Sequence, residues 1–209
     1  MSVSIIFIGT DKYLNFLPYY YDKVQQFLFP GVEKKIFAFT DGDINGDIPK
    51  DIIPIKIEHK EWPRITLERF HTILSAKEQL LESDYVLFLD ADMSVNEEIA
   101  LDEIFGENDF VGVHHPCHEV KSPPHGKATG SIETNRKSTA YLENAYDFGV
   151  DWQGCLWGGK TQPVIDMMET ICARIDEDDE NGIIAVWHDE THLNKFFCEN
   201  FDRVRTLDP

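Results

Sequence analysis

Apolar positions along the chain fall into two alternating kinds of run. Short β-branched and aromatic stretches read as strands, and between them lie longer segments with apolar residues three and four apart, a pattern that predicts an α/β domain. "SIIFIG" (4–9), "KKIFAFT" (34–40) and "YVLFLD" (85–90) are strand-like. The last is continuously apolar, as a central strand covered on both faces would be. "IIPIKIEH" (52–59) alternates, and Pro54 predicts a place near a sheet edge, because proline donates no ladder hydrogen bond. "DFVGVHH" (109–115) reads as a further strand.

Helical spacing covers 12–29, with Pro18 near its first turn, and 66–82, with Thr66 as a cap candidate. It returns at about 162–176 and at 188–200. The acidic run "DEDDENG" (176–182) reads as a solvated end closing the helix before it. "DGDINGD" (41–47) is turn-rich, and "WGG" (157–159) reads as a turn whose glycines permit positive φ or close approach of backbone to a ligand. Between 116 and 135 periodicity is absent, which predicts a long loop of functional use. With 209 residues and no repeat or linker, one domain is expected.

Charge narrows the partners. The chain carries 38 acidic and 19 basic residues, a formal net charge of −19. That argues against nucleic acid and anionic membranes as partners, and an anionic substrate would need a local cation or a metal ion. The first apolar run is too short to span a bilayer and has no signal-peptide pattern. Cys117, Cys155, Cys172 and Cys198 form no CxxC pair, which points to reduced thiols and a cytoplasmic location.

The candidate chemistry begins where a buried strand ends in two carboxylates, Asp90 and Asp92. Carboxylate oxygens suit a hard divalent cation, with a diphosphate completing its shell. A second reading takes Asp90 as the nucleophile of a haloacid-dehalogenase-type phosphohydrolase, although Ser94 and the motif's place on about the fourth strand depart from that pattern. "HDETH" (188–192) sets His188 and His192 four apart on a helix, a spacing compatible with zinc, but the acidic residue of the H-E-x-x-H pattern is displaced. Asp189 and Glu190 could instead present carboxylates to a ligand from the first turn. "HHPCH" (114–118) is better suited to a loop lining than to a metal cluster, since strand alternation would split neighbouring side chains. Neither a GxGxxG nor a Walker A loop is present.

Taken together, "FLDADM", "HHP", "WGGK" and "NGIIAVWHDETHLNKFF" resemble, in order and rough spacing, the family 6 glycosyltransferases, which include the ABO blood-group transferases and α-1,3-galactosyltransferase. The resemblance covers about residues 4–208. It implies a GT-A fold with a mixed central sheet, a nucleotide-sugar half over about 1–95 and an acceptor half over about 96–209. It further implies that Asp90 and Asp92, flanking Ala91, hold Mn²⁺ or another divalent cation against a UDP diphosphate. Ile8, Gly9 and Tyr13 match the segment that meets uridine; Trp62 and Thr66 lie near uridine and ribose; Arg69 orients the aspartate loop and the donor. Gln153, Gly154 and Cys155 match the segment that discriminates galactose from N-acetylgalactosamine, and Asp189 matches a partner of donor hydroxyls. His115 and Trp187 match acceptor-binding positions, and Glu190 the catalytic position at the acceptor.

The implied reaction is retaining transfer of Gal or GalNAc from UDP to the 3-hydroxyl of a galactoside, giving an α-linkage. Whether Glu190 attacks the anomeric carbon or stabilises an oxocarbenium-like state stays open at this level. A catalytically inactive nucleotide- or carbohydrate-binding domain would share the same pocket. The family continues past "HLNKFF" with a basic tail, whereas this chain stops at Pro209. "QGC" (153–155) matches neither the blood-group A nor the B pattern, and retention of both aspartates leads to an expectation of metal dependence.

Overall fold

The computed structural model describes residues 1–44, 48–116 and 131–209. Residues 45–47 of the expected turn and 117–130 of the expected loop, with Cys117 and His118, lie outside the described residues. The strands are β1 (Ser2–Ile8), β2 (Glu33–Thr40), β3 (Ile52–Lys56), β4 (Tyr85–Leu89), β5 (Phe110–His114), β6 (Trp152–Lys160) and β7 (Val204–Leu207). They form one seven-stranded sheet in the order β3-β2-β1-β4-β6-β5-β7. Every neighbouring pair is parallel except β4–β6 and β5–β6, so β6 alone runs against the rest.

The period of two along the strands sorts side chains onto two cores. Val3, Ile5 and Phe7 of β1 and Leu87 and Leu89 of β4 face one side. There they meet Leu17, Tyr20 and Val24 of helix α1 (Leu17–Phe27). Ile6, Phe37, Val86 and Phe88 face the other side, under α3 (Arg69–Leu74), α6 (Thr161–Glu180) and α7 (His188–Glu199). β4 is therefore the covered central strand that its apolar run predicts, and β3 with Pro54 is an edge strand. Pro18 sits in the first turn of α1, but residues 11–16 ahead of it form a 3-10 helix.

Two expectations are overturned and a third holds except at one residue. Residues 64–80 form not one helix but three short ones: α2 (Arg64–Leu67), α3 and α4 (Lys77–Leu80). Their buried residues, Leu67, Phe70, Ile73, Ala76 and Leu80, are mostly three apart. In a straight α-helix each such step would rotate the side chain about 60° off the core face. Breaks at Glu68 and Ala76 absorb that drift, and Ser75 Oγ donates to Thr72 O at 2.6 Å, competing with the helix ladder. Thr66 is not a cap; its hydroxyl donates back to Pro63 O at 2.9 Å.

"WGG" is not a turn but part of the C-terminal half of β6. A Cβ on Gly158 would lie 2.3 Å from Val86 O, and Gly159 has φ +147° with a Cβ position 2.0 Å from Asp109 O. The glycines admit neighbouring strands rather than a ligand. The acidic run, finally, does end a helix and is solvated at Asp176, Glu177, Asp179 and Glu180, but it lies within α6, and Asp178 is 2% exposed. Its carboxylate accepts Ser138 Oγ at 2.5 Å and the Thr139 N–H at 2.6 Å, which offsets its desolvation. Among the described residues no helix is long and apolar enough to cross a membrane, and Cys155, Cys172 and Cys198 are unpaired.

Candidate active site

The chain builds β2 and β3 outward on one side of β1 and then places β4 on the other. Such a reversal opens a crevice beyond the carboxyl ends of the strands. A cavity of 470 Å³ lies there, lined by Ile8 at the end of β1 and Tyr13 beyond it, by Trp62, Thr66 and Arg69, and by Asp90, Ala91 and Asp92 after β4. A smaller cavity of 180 Å³ shares Trp62, Thr66, Arg69 and Asp90 with it. To these it adds Gln153, Gly154 and Cys155 of β6 and Trp187, Asp189 and Glu190 at the start of α7. Gly9 and His115 belong to neither lining. Gly9 donates its N–H to Phe39 O at 3.0 Å, and His115 donates its own to Asp151 O at 2.7 Å.

β6 reaches the site because its pairing with β5 slips. Gly112 faces Trp157 while the next residue, Val113, faces Gln153, so Gly154, Cys155 and Leu156 lack a β5 partner. An irregularity of this kind re-aims backbone toward a cleft. Asp90 N–H donates to Cys155 O at 3.0 Å and ties that stretch to the end of β4.

One guanidinium organises the smaller cavity. Arg69 Nη1 donates to Gly154 O at 2.8 Å and lies 3.1 Å from Asp189 Oδ2, while Nη2 lies 3.4 Å from Asp90 Oδ1. Its Cζ stands 4.5 Å from the Phe88 ring centroid, a cation–π contact that holds the planar head in place. The carboxylates outnumber it. Burial raises the Asp90 carboxyl, Arg69 opposes, and Asp92 and Glu190 raise it further. Burial also pushes Asp189 up to about 7 against the pull of Arg69, with Glu190 and Asp90 adding to the rise. The Cys155 thiol is pushed up to about 12, first by burial, which leaves it un-ionised and poorly nucleophilic.

Glu190 is anchored through both carboxylate oxygens. Oε2 accepts the Gly154 N–H at 2.6 Å and Oε1 accepts the Ser131 hydroxyl. Gly154 thus joins the two charged groups, its N–H on Glu190 and its C=O on Arg69. Asn194, one turn further along α7, accepts the Trp152 N–H at 2.7 Å. Its Nδ2 donates to Trp152 O at 2.6 Å and to Glu190 O at 2.9 Å. That clamp docks α7 on β6. Neither Ser131 nor Asn194 is among the residues expected from the sequence.

The structure removes the zinc reading of "HDETH". His188 lines the smaller cavity and meets Trp62 edge-on with ring centroids 4.9 Å apart, whereas His192 is fully buried with Nε2 3.7 Å from Asp178 Oδ2. Among the described residues no group of three His, Cys, Asp or Glu could hold a metal ion by itself.

His192 has a different consequence. Burial first, then Arg174 and Lys195 against the pull of Asp178, lowers its pKa to about 4. An unfolded imidazole titrates near 6.5, so the stability held by the neutral ring is complete above about pH 6.5 and is lost as pH falls through about 4. Burial raises Asp151 to about 6 and Asp189 to about 7, and their contributions run the other way, lost as pH rises through those values. His192→Leu isolates the imidazole. Between pH 7 and 4.5, urea unfolding of the unaltered protein should lose on the order of 2 kcal/mol more than that of the variant. Parallel pH profiles would dismiss the imidazole as the cause.

The model of Glycosyltransferase family 6 matches residues 1–206. The chain is 29% identical over 201 residues to the O-antigen biosynthesis glycosyltransferase WbnI of Escherichia coli, covering 96% of this chain and 83% of that protein. It is 26% identical over 213 residues to the human globoside α-1,3-N-acetylgalactosaminyltransferase 1, and 24% identical over 206 residues to the histo-blood group ABO system transferase 2 of Rattus norvegicus. Those matches cover 96% and 93% of this chain but only 58% of each animal enzyme. The mixed seven-stranded sheet is of the GT-A type that the resemblance implies. The chain belongs to glycosyltransferase family 6.

Proposed function

We propose that the protein transfers Gal or GalNAc from its UDP donor to the 3-hydroxyl of an acceptor galactoside, with retention, as a divalent-cation-dependent enzyme. The observation that carries this reading is the adjoining pair of cavities with Asp90 and Arg69 in both linings and Glu190 in the smaller one. In this reading the larger cavity takes the nucleotide and the smaller one takes the sugar. The human relative is an α-1,3-N-acetylgalactosaminyltransferase, which supports the linkage and the class of donor.

The residues present fit a hard divalent cation. Asp90 and Asp92 offer oxygen donors from one turn, Asp90 is destabilised as an anion by burial, and Arg69 is shared with Asp189. Asp90 and Asp92 would hold Mn²⁺ or a similar ion, which, when bound, neutralises charge on the diphosphate leaving group. Trp62, Thr66, Ile8 and Tyr13 would bind the nucleoside, and Arg69 would hold Asp90 and Asp189 in register. Gln153, Gly154 and Cys155 would border the sugar, with Asp189 on its hydroxyls. Trp187, half exposed at the cavity rim, would carry the acceptor ring. His115 would act from outside the lining, at the end of β5. Glu190 would stabilise the positive charge that develops at the anomeric carbon, a requirement common to double displacement and same-face attack.

The test is UDP release from UDP-Gal, UDP-GalNAc, UDP-Glc and UDP-GlcNAc, each with and without a β-galactoside, in Mn²⁺ and in EDTA. Release with the galactosyl donors should require both acceptor and metal. Full turnover in EDTA would sink the metal assignment; phosphate release from sugar phosphates, abolished in Asp90→Asn, would replace the transferase with a hydrolase.

A further inference from the structure

Glu133 is 6% exposed and forms no ion pair among the described residues. Burying a carboxylate without a cation is costly unless hydrogen bonds to the charged form compensate. Here they come from three backbone amides. Oε1 accepts the N–H groups of Thr134 and Asn135 at 2.8 and 2.7 Å, and Oε2 accepts the Val186 N–H at 2.9 Å. The carboxylate therefore links two segments 53 residues apart in sequence. The second leads directly into Trp187, whose own N–H donates to Thr191 Oγ1 at 2.9 Å.

The first segment is fixed at both ends. Ser131 donates its N–H to Asp151 Oδ2 at 2.7 Å and its hydroxyl to Glu190 Oε1. At the other end Thr139 donates its N–H to Asp178 and its hydroxyl to Arg174 O at 2.8 Å, while Lys195 Nζ donates to Thr139 O at 2.7 Å. Residues 131–139 thus run as a strap over α6 and α7. Through Ser131 the strap touches the Glu190 carboxylate, and through Glu133 it sets the backbone under Trp187.

We propose that Glu133 is a positioning residue for the acceptor, fixing the Trp187 indole relative to the Glu190 carboxylate through the 131–135 strap. The proposal rests on the acceptor role given to Trp187 above. Glu133 touches neither cavity and acts through other residues. A misplacement of about 1 Å at an acceptor platform is enough to lower productive binding strongly. Glutamine keeps the volume of Glu133, but its one oxygen can serve either the Thr134–Asn135 end or the Val186 end, not both.

The experiment compares Glu133→Ala and Glu133→Gln with the unaltered protein by steady-state kinetics in both substrates and by amide hydrogen exchange. Glu133→Ala should raise the acceptor KM about tenfold, leave the donor KM within about twofold, and speed exchange at Val186 and Trp187, with Glu133→Gln intermediate. A purely structural role would lower the folded fraction and leave both KM values alone, and that result overturns the proposal. Should Glu133→Ala fail to fold, Glu133→Gln carries the same measurements. Should the unaltered protein transfer to no galactoside, the functional reading fails by itself. Exchange then decides the strap: faster exchange confined to Val186 and Trp187 supports it, and unchanged exchange there overturns it.

Discussion

Glu190→Gln should lower kcat by about 10³-fold while both KM values and the melting temperature stay close to those of the unaltered protein. The reason is geometric. The amide oxygen of glutamine can keep the Gly154 N–H that Oε2 accepts at 2.6 Å, and its NH₂ can turn to Ser131 as a donor to the hydroxyl oxygen. Shape and anchoring survive and only the charge is lost. A preorganised charge in a partly buried site does its work in the transition state rather than in binding, so the deficit falls on kcat. Initial rates over a grid of donor and acceptor concentrations read this directly. A decrease of less than tenfold in kcat, with the fold intact, would remove Glu190 from the chemistry.

Arg69→Ala should be the most damaging single change to both stability and turnover. It removes the buried cation 3.1 Å from Asp189 and 3.4 Å from Asp90, and it strips Gly154 O of its donor. Breaking a buried pair by deleting one partner costs about 3–5 kcal/mol, because the other charge stays buried without compensation. Urea unfolding measures that loss, and transfer should fall below detection. The double variant Arg69→Met, Asp189→Asn should recover part of the stability, since the more deeply buried partner is no longer charged and only the partly exposed Asp90 has lost its cation, yet recover no activity. Lysine at position 69 should not rescue either quantity, because one ammonium cannot address Gly154 O, Asp189 and Asp90 with a fixed fork. A melting curve for Arg69→Ala that overlays the unaltered one would show that the guanidinium is not a structural centre.

What could be read in the sequence follows from how local each signal is. β1, β2 and β4 announce themselves because their apolar residues are contiguous and buried on both faces. β6 does not: "WQGCLWGGK" carries three glycines, and its strand state depends on Val86 and Asp109 approaching too closely for any Cβ. β7 has four residues, too few for a period. In the 64–80 region the three-residue spacing of Leu67, Phe70, Ile73 and Ala76 was itself the sign of a broken helix, hidden under good helix formers. Asp90 and Asp92 were visible as charges closing a buried strand, and Asp189 and Glu190 as acids in a first helical turn. Ser131 and Asn194 were not, because each works on a partner 59 or 42 residues away. Thr10 and His59, hydrogen-bonded at 2.9 Å on the wall of the larger cavity, carry a positional signal in the sequence. Each follows the end of a parallel strand, where a ligand crevice opens.

The place of β6 also governs the order in which the molecule can assemble. β4 is complete by Leu89, but its outer neighbour begins only at Trp152 and ends at Lys160. During synthesis the most apolar strand of the protein therefore waits, one edge unpaired, for some seventy further residues, equivalent to several seconds of translation at about 5–20 residues per second. An open apolar edge is a template for the wrong partner. Growth at lower temperature, slower initiation or a co-expressed holdase should consequently raise the yield of folded enzyme more than any stabilising change on its finished surface.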